Sequence, residues 1–213
     1  MDGGRPEDLV AASRGFGVRD ARVLAAIRET PRVGFVPPAL ADRAYVDAPL
    51  PIGHGQVTTQ PSLVAGMVEA LGLTGRETVL EVGSGLGWQT ALLARLAASV
   101  WTVERFADLA EAARANLDRH GVSNVAVVVG DGSGGLPDAA PFDAIVVAAA
   151  FTRVPEPLTV QLASGGRLVQ PIGPGGNDDV ILFERSAGGL VARRTVTAAH
   201  FVRLVGAHGF AER

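Results

Sequence analysis

Apolar residues recur at helical spacing in "RDARVLAAIRET", with arginines on the opposite side, which predicts an amphipathic helix that stops before Pro31. The pattern then loosens. "GFVPPALADRAYVDAPLPIGHGQ" is rich in Pro and Gly and predicts a long ordered loop over the domain. From Pro61 onward, Leu63, Val64, Met67, Val68 and Leu71 fall on one helical face, and Gly72 supplies a stop. An alternation follows in which "TVLEV", "SVWTVE", "VAVVV" and "FDAIVVAAA" read as strands. "WQTALLARLAA" and "ADLAEAARANLDRH" read as the helices between them. Continuous apolar strands separated by helices imply a parallel sheet covered on both faces and joined by right-handed crossovers. In the last third "EPLTVQLA" reads as a helix and "GGRLVQPIG" as a strand. "DDVILFER", "LVARRTVTA" and "HFVRLVG" read as strands joined by turns, an antiparallel C-terminal edge on the sheet.

The fold class expected is therefore α/β, a doubly wound and mostly parallel sheet with helices on both faces. One domain over residues 1–213 is expected, with an N-terminal helix and loop segment (1–60), a core (61–175) and C-terminal strands (176–213). Apolar residues make up 47% of the chain and charged residues 19%, and no uninterrupted apolar stretch reaches the length of a membrane span. The opening "MDGGRPEDLV" lacks the basic start and apolar run of a secretory signal. With no cysteine, disulfides, thiolate metal sites and cysteine nucleophiles are excluded, and a monomer in the cytoplasm is expected. A net charge of −3 with scattered basic residues argues against nucleic acid as a partner. His120, His200 and His208 are too dispersed to suggest a metal site.

The candidate chemistry lies at strand ends. "TVLEV" runs into "GSGLGW", placing Glu81, Gly83, Ser84 and Gly85 at the carboxyl end of the first parallel strand and the entry to a helix. Open α/β sheets bind ligands in that crevice, where glycine lets the backbone close on the ligand and the helix start offers free N–H groups. Trp88 stands where a dinucleotide-binding loop needs its third glycine, and the Lys-Ser/Thr pair of a phosphate loop is missing. A ligand without pyrophosphate follows. Glu104 ends the second strand, where an acid can accept from both ribose hydroxyls, or it is a solvated strand end. Asp131 and Gly132 follow "VAVVV", as a turn that edges an adenine amino group or as ordinary turn residues. In "GHGQVTTQP", Thr59 either caps the helix opening at Gln60-Pro61 or presents its hydroxyl to a substrate. His54 is either a packing residue or a substrate contact. Trp88 and Trp101 read as core, and Asp143 as a strand-start hydrogen-bonding residue.

The glycine loop, the ribose acid and the adenine turn, in this order, resemble the class I S-adenosylmethionine-dependent methyltransferases, whose fold is Rossmann-like. The segment "RVLAAIRETPRVGFVPPALADRAYVDAPLPIGHGQVTTQP" is similar to the amino-terminal region of the protein-L-isoaspartate (D-aspartate) O-methyltransferases, and "FDAIVVAAA", "VPEPLTVQLASGGRLVQPIG" and "HFVRLVG" extend the likeness over nearly the whole chain. The resemblance implies S-adenosyl-L-methionine as cofactor, bound by Glu81, Gly83, Ser84, Gly85, Glu104, Asp131 and Gly132. It implies isoaspartyl-containing peptides and proteins as partners, methylated on the free α-carboxylate so that the ester closes to a succinimide. Thr59 takes the place of the family's loop serine as the catalytic residue, and His54, Gln56, Thr58, Gln60 and Val202 are the implied substrate contacts. Arg203 replaces a usual proline, and Leu86 and Trp88 vary the middle of the glycine loop. Relatives that methylate aspartate in a dedicated peptide, and a module that binds the cofactor without turnover, share these features.

Overall fold

The computed structural model describes residues 4–212, so the outermost positions of the expected domain, 1–3 and 213, lie outside the described residues. Seven strands form one sheet in the order β5-β4-β3-β6-β7-β8-β9. These are β3 (Thr78–Val82), β4 (Ser99–Glu104), β5 (Val125–Val129), β6 (Phe142–Val147), β7 (Leu162–Ile172), β8 (Asp178–Ser186) and β9 (Gly189–Ala199), while β1 (Leu50–Gly53) and β2 (Gln56–Thr58) pair separately. The strands from β5 to β7 run parallel, and β8 and β9 add the antiparallel edge. The chain moves outward from β3 to β5 and then returns to place β6 on the other side of β3. The β3–β6 boundary is thus the switch point at which such sheets hold ligands.

The helices are α1 (Pro6–Phe16), α2 (Ala21–Glu29), α3 (Pro61–Ala70), α4 (Trp88–Leu96), α5 (Ala107–Arg119) and α6 (Glu156–Gln161). Strand residues alternate between two cores. Val79, Val100, Ala144, Val146 and Val169 face the core shared with α1 to α5. Leu80, Val82, Val103, Ile145 and Leu168 face a smaller one that holds Leu158 of α6 and Leu204 of the C-terminal segment. Both faces are covered, but unequally.

Three local expectations are corrected, and one helix is present that the sequence pattern did not announce. The first dozen residues hold a helix, α1, opened by Pro6 with a reciprocal bond between Arg5 and Asp8 and closed by the left-handed Gly17. The supposed loop over residues 34–56 takes in the end of one 3-10 turn, Arg32–Phe35, a second, Pro38–Arg43, and most of the β1–β2 hairpin, because prolines start turns and Gly53 and Gly55 allow a tight reversal. α6 ends at Gln161, and β7 begins at once with Leu162 beside Phe142. "HFVRLVG" is a coil held by single bridges, Ala150 with Arg203 and Val205 with Phe210, because Ala150 exchanges both backbone bonds with Val202 and Leu204 and turns the segment inward.

Candidate active site

β3 delivers the chain into a turn in which Gly83, Gly85 and Gly87 have φ of 93°, 52° and 92°, left-handed values that side chains rarely adopt. Gly87 is the N-cap of α4. Among the described residues the N–H groups of Ser84 and Leu86 have no acceptor, so the turn offers donors to a ligand. Glu104, buried at the end of β4, accepts the Gly85 N–H at 3.0 Å on Oε2 and the Phe106 N–H at 3.1 Å on Oε1. A carboxylate oxygen accepts more than one bond, so both retain capacity for hydroxyl groups.

Two expected cofactor contacts carry hydrogen bonds within the protein. Glu81 is fully buried beneath the turn and accepts from Gln89 at 2.9 Å, Thr90 at 2.5 Å and Thr102 at 2.7 Å. Burial drives its pKa up to about 7 against the pull of those three bonds. It is a strut under the glycine turn, not a wall of the crevice. Asp131 accepts from the Ser133 N–H and hydroxyl on Oδ1 and from the Ala207 N–H on Oδ2. Burial raises its pKa, but the Ser133 and Ala207 bonds outweigh that and hold it below the usual carboxylate range. It pins the C-terminal segment to the end of β5 and stays exposed, and the adjoining Gly132 lines the crevice.

The second half of the site is built from the amino-terminal segment. Arg32, fully buried, donates from Nη1 to the carbonyls of Ala44 (3.3 Å) and Val46 (3.1 Å). Its Nη2 donates to Ala48 (3.1 Å), Thr58 (3.5 Å) and Thr59 (3.1 Å). Asp47 accepts the Ser62 N–H at 2.8 Å and the Gln60 side-chain amide at 2.9 Å. α3 is therefore capped by Asp47, while its N-cap residue Gln60 makes no side-chain cap, and the capping reading of Thr59 is overturned. Among the described residues the Thr59 hydroxyl has no hydrogen-bond partner, nor do the N–H groups of Thr59 and Gln60. Sequence reasoning missed Arg32 and Asp47; nothing in the local pattern announces a buried cation, and Asp47 reaches its cap from 15 residues away.

His54, at φ 51°, stacks on Phe106 with centroids 4.2 Å apart and bonds Asp108 at 2.8 Å. It latches the hairpin tip to the start of α5, and its hydrogen bond lowers the Asp108 pKa. Gln56 donates its side-chain amide to the His54 carbonyl and lines the crevice. Trp88 is buried with its indole N–H on the Thr30 carbonyl, and Asp143 accepts the Thr78 N–H, both as expected.

These parts enclose two hollows. One lies over the glycine turn between Gly83, Ser84, Gly85, Glu104 and Thr58. The other runs between Phe16, Gln60, Leu63 and the residues 197–201 at the end of β9. Val57, Thr59, Ala148 and Val202 line both, so a free hydroxyl stands on the shared wall.

Residues 5–209 match the family described as Protein-L-isoaspartate(D-aspartate) O-methyltransferase. The chain belongs to that family. A protein-L-isoaspartate O-methyltransferase of Anaeromyxobacter dehalogenans is 53% identical over 191 residues, covering 89% of this chain and 91% of that protein. One of Methanoregula boonei is 47% identical over 206 residues, covering 97% and 94%. Among solved structures, a protein-L-isoaspartate O-methyltransferase superposes with a TM-score of 0.83 at 31% identity over 96% of this chain and 67% of that one. The Plasmodium falciparum protein described as a methyltransferase in complex with S-adenosyl-L-homocysteine shares the fold, with a TM-score of 0.79 at 22% identity over 95% of this chain and 99% of that one.

Proposed function

We propose that this chain is a protein-L-isoaspartate O-methyltransferase, transferring a methyl group from S-adenosyl-L-methionine to the free α-carboxylate of isoaspartyl residues in peptides and proteins. The observation that carries the reading is the wall common to the two hollows, with Thr59 on it. The residues fit the cofactor: unpartnered N–H groups at Ser84 and Leu86, and spare acceptor capacity on Glu104 next to the turn. When bound, the cofactor supplies an electrophilic methyl on a sulfonium whose leaving group is a neutral thioether.

The chain's own residues then have a limited task. A carboxylate titrates near pH ~4, so the nucleophile is ionised at neutral pH and no general base is needed. Orientation is what remains, and effective concentration supplies much of the acceleration. Thr59 donates its hydroxyl to one carboxylate oxygen and leaves the other free to attack. Gln60, held by Asp47 and Ser62, presents its backbone N–H beside it. Thr58 and Gln56 border the hollow over the glycine turn, which takes the cofactor, and Val202 stands with Thr59 between it and the neighbouring hollow, which takes the acceptor. The backbone nitrogen of the following residue then attacks the ester carbonyl and methanol leaves, which yields the succinimide without further help. In this reading the protein works as a single domain and a monomer in the cytoplasm, without nucleic acid or membrane; among the described residues no helix is long and apolar enough to cross one.

Labelled methyl transfer to a peptide with one isoaspartyl residue, set against its aspartyl twin, tests the reading. Labelling of the isoaspartyl peptide alone is expected. Equal labelling of both overturns the repair assignment.

A further inference from the structure

Arg32 is a fully buried cation whose hydrogen-bond acceptors are all neutral carbonyls. Among the described residues no carboxylate pairs with it, and both oxygens of Asp47, the anion acting on it at longer range, are taken by Ser62 and Gln60. A buried charge without a partner is costly, because desolvation is not offset by a paired anion. Such an arrangement calls for a role that a neutral residue could not fill.

Its position supplies one. The carbonyls of Thr58 and Thr59 face the guanidinium. Each belongs to a trans peptide unit whose N–H points the opposite way, at Thr59 and at Gln60. Those two N–H groups have no acceptor among the described residues, and both residues line the acceptor hollow. A cation bonded to the oxygen end of an amide polarises it and strengthens the donor at the nitrogen end, most of all where the dielectric is low.

We propose that Arg32 is the positioning residue of the acceptor site: from behind the Thr58 and Thr59 carbonyls it orients and polarises the two peptide units whose N–H groups hold the substrate α-carboxylate. This rests on the methyltransferase reading above. The arrangement resolves a conflict in the chemistry. A cation in direct contact with the carboxylate would bind it firmly but withdraw the electron pair needed for attack. Placed one peptide unit away, the same charge attracts the anion and leaves its oxygen nucleophilic. The fork of an arginine is required, because a single compact ammonium cannot reach five carbonyls. Burial lowers the Arg32 pKa to about 10, which leaves it charged at neutral pH. The guanidinium also lies 5.6 Å over the Trp88 ring, at the start of the helix that follows the glycine turn, so the two halves of the site meet at this residue.

The test compares Arg32→Met and Arg32→Lys with the wild type. The probes are an isoaspartyl peptide and its α-carboxamide analogue, which lacks the anion. Affinity for S-adenosylhomocysteine, measured by calorimetry, verifies that each variant is folded. In Arg32→Met the preference for carboxylate over carboxamide is expected to fall about tenfold or more, the scale of a hydrogen bond to a charged group, with the carboxamide affinity unchanged. In Arg32→Lys, which keeps the charge and loses the fork, the preference should fall about threefold and the turnover number should fall with it. Equal weakening of both peptides would make Arg32 purely structural and overturn the proposal. If Arg32→Met does not bind S-adenosylhomocysteine, an unchanged carboxylate preference in Arg32→Lys overturns it as well. Failure of the underlying reading looks different: the wild type itself then shows no preference for the carboxylate peptide.

Discussion

Asp47 accepts the backbone N–H of Ser62 at 2.8 Å, and so caps α3 from a loop that precedes the β1–β2 hairpin. The cap and the acceptor site thus share a residue, since the other oxygen of Asp47 fixes the Gln60 side chain. Asp47→Ala is expected to cost about 1–2 kcal/mol of stability, as lost N-caps do. Thr59→Ala, which removes no cap, should stay within ~0.5 kcal/mol of the wild type. Urea melts of the two variants check this; a larger loss from Thr59→Ala would restore threonine as the cap.

Thr59→Val keeps the shape of the side chain and removes the hydroxyl. Turnover is expected to fall by roughly 10- to 100-fold, the scale of one hydrogen bond to a charged group. Affinity for S-adenosylhomocysteine should change by less than about twofold, since the hydroxyl is assigned to the acceptor. Thr59→Ser should restore most of the rate. An unchanged rate in Thr59→Val removes this hydroxyl from the chemistry.

Glu104→Gln replaces an oxygen acceptor with a donor beside the Gly85 N–H. Calorimetry should show cofactor affinity reduced by about tenfold or more, while the rate at saturating cofactor stays near that of the wild type. A fall in the saturated rate without a change in affinity would move Glu104 away from the cofactor.

Glu81 makes a pH dependence. Its folded-state pKa, about 7, lies above its ordinary value of 4.5, so the folded chain holds a proton that the unfolded chain releases between those values. The contribution to stability is fully present below about pH 4.5 and is lost as pH rises towards 7, a change on the order of a few kcal/mol. Denaturant midpoints measured from pH 5 to 8 should therefore fall for the wild type and fall less for Glu81→Gln. Parallel curves would show that Glu81 ionises as freely as in the unfolded chain.

The latch of His54 on Asp108 and Phe106 is exposed, so its contribution to global stability is small. His54→Ala should leave the melting temperature within a few degrees. It should, however, raise amide exchange in residues 50–58, because the hairpin tip loses its hold on α5. Unchanged exchange there would mean that the hairpin is held by its own pairing.

The parallel sheet and the helices from Pro61 to Arg119 are legible in the chain because apolar periodicity there reports burial directly. Three features are not. The β1–β2 hairpin hides in a proline-rich segment where Pro51 and Gly53 mask the alternation. The coil at 200–206 has the composition of a strand, but its bonds go to Ala150 in single bridges. Arg32 has no signature in the chain, because the five carbonyls that converge on it lie up to 27 residues away. The glycine turn, Glu104 and Thr59 are recognisable from strand-end position and resemblance. The structural tasks of Glu81, Asp131 and His54 are not legible, because each meets partners that the fold brings from elsewhere in the chain, Thr102, Ala207 and Asp108.

Val57, Thr59, Ala148 and Val202 stand on the boundary between the two hollows, and in the proposed reaction the methyl group has to pass between them. Selectivity for a one-carbon group needs no recognition of that group if the opening admits nothing bulkier. In the proposed reaction, discrimination against bulkier donor groups would then come from these four side chains and not from contacts to the methyl itself.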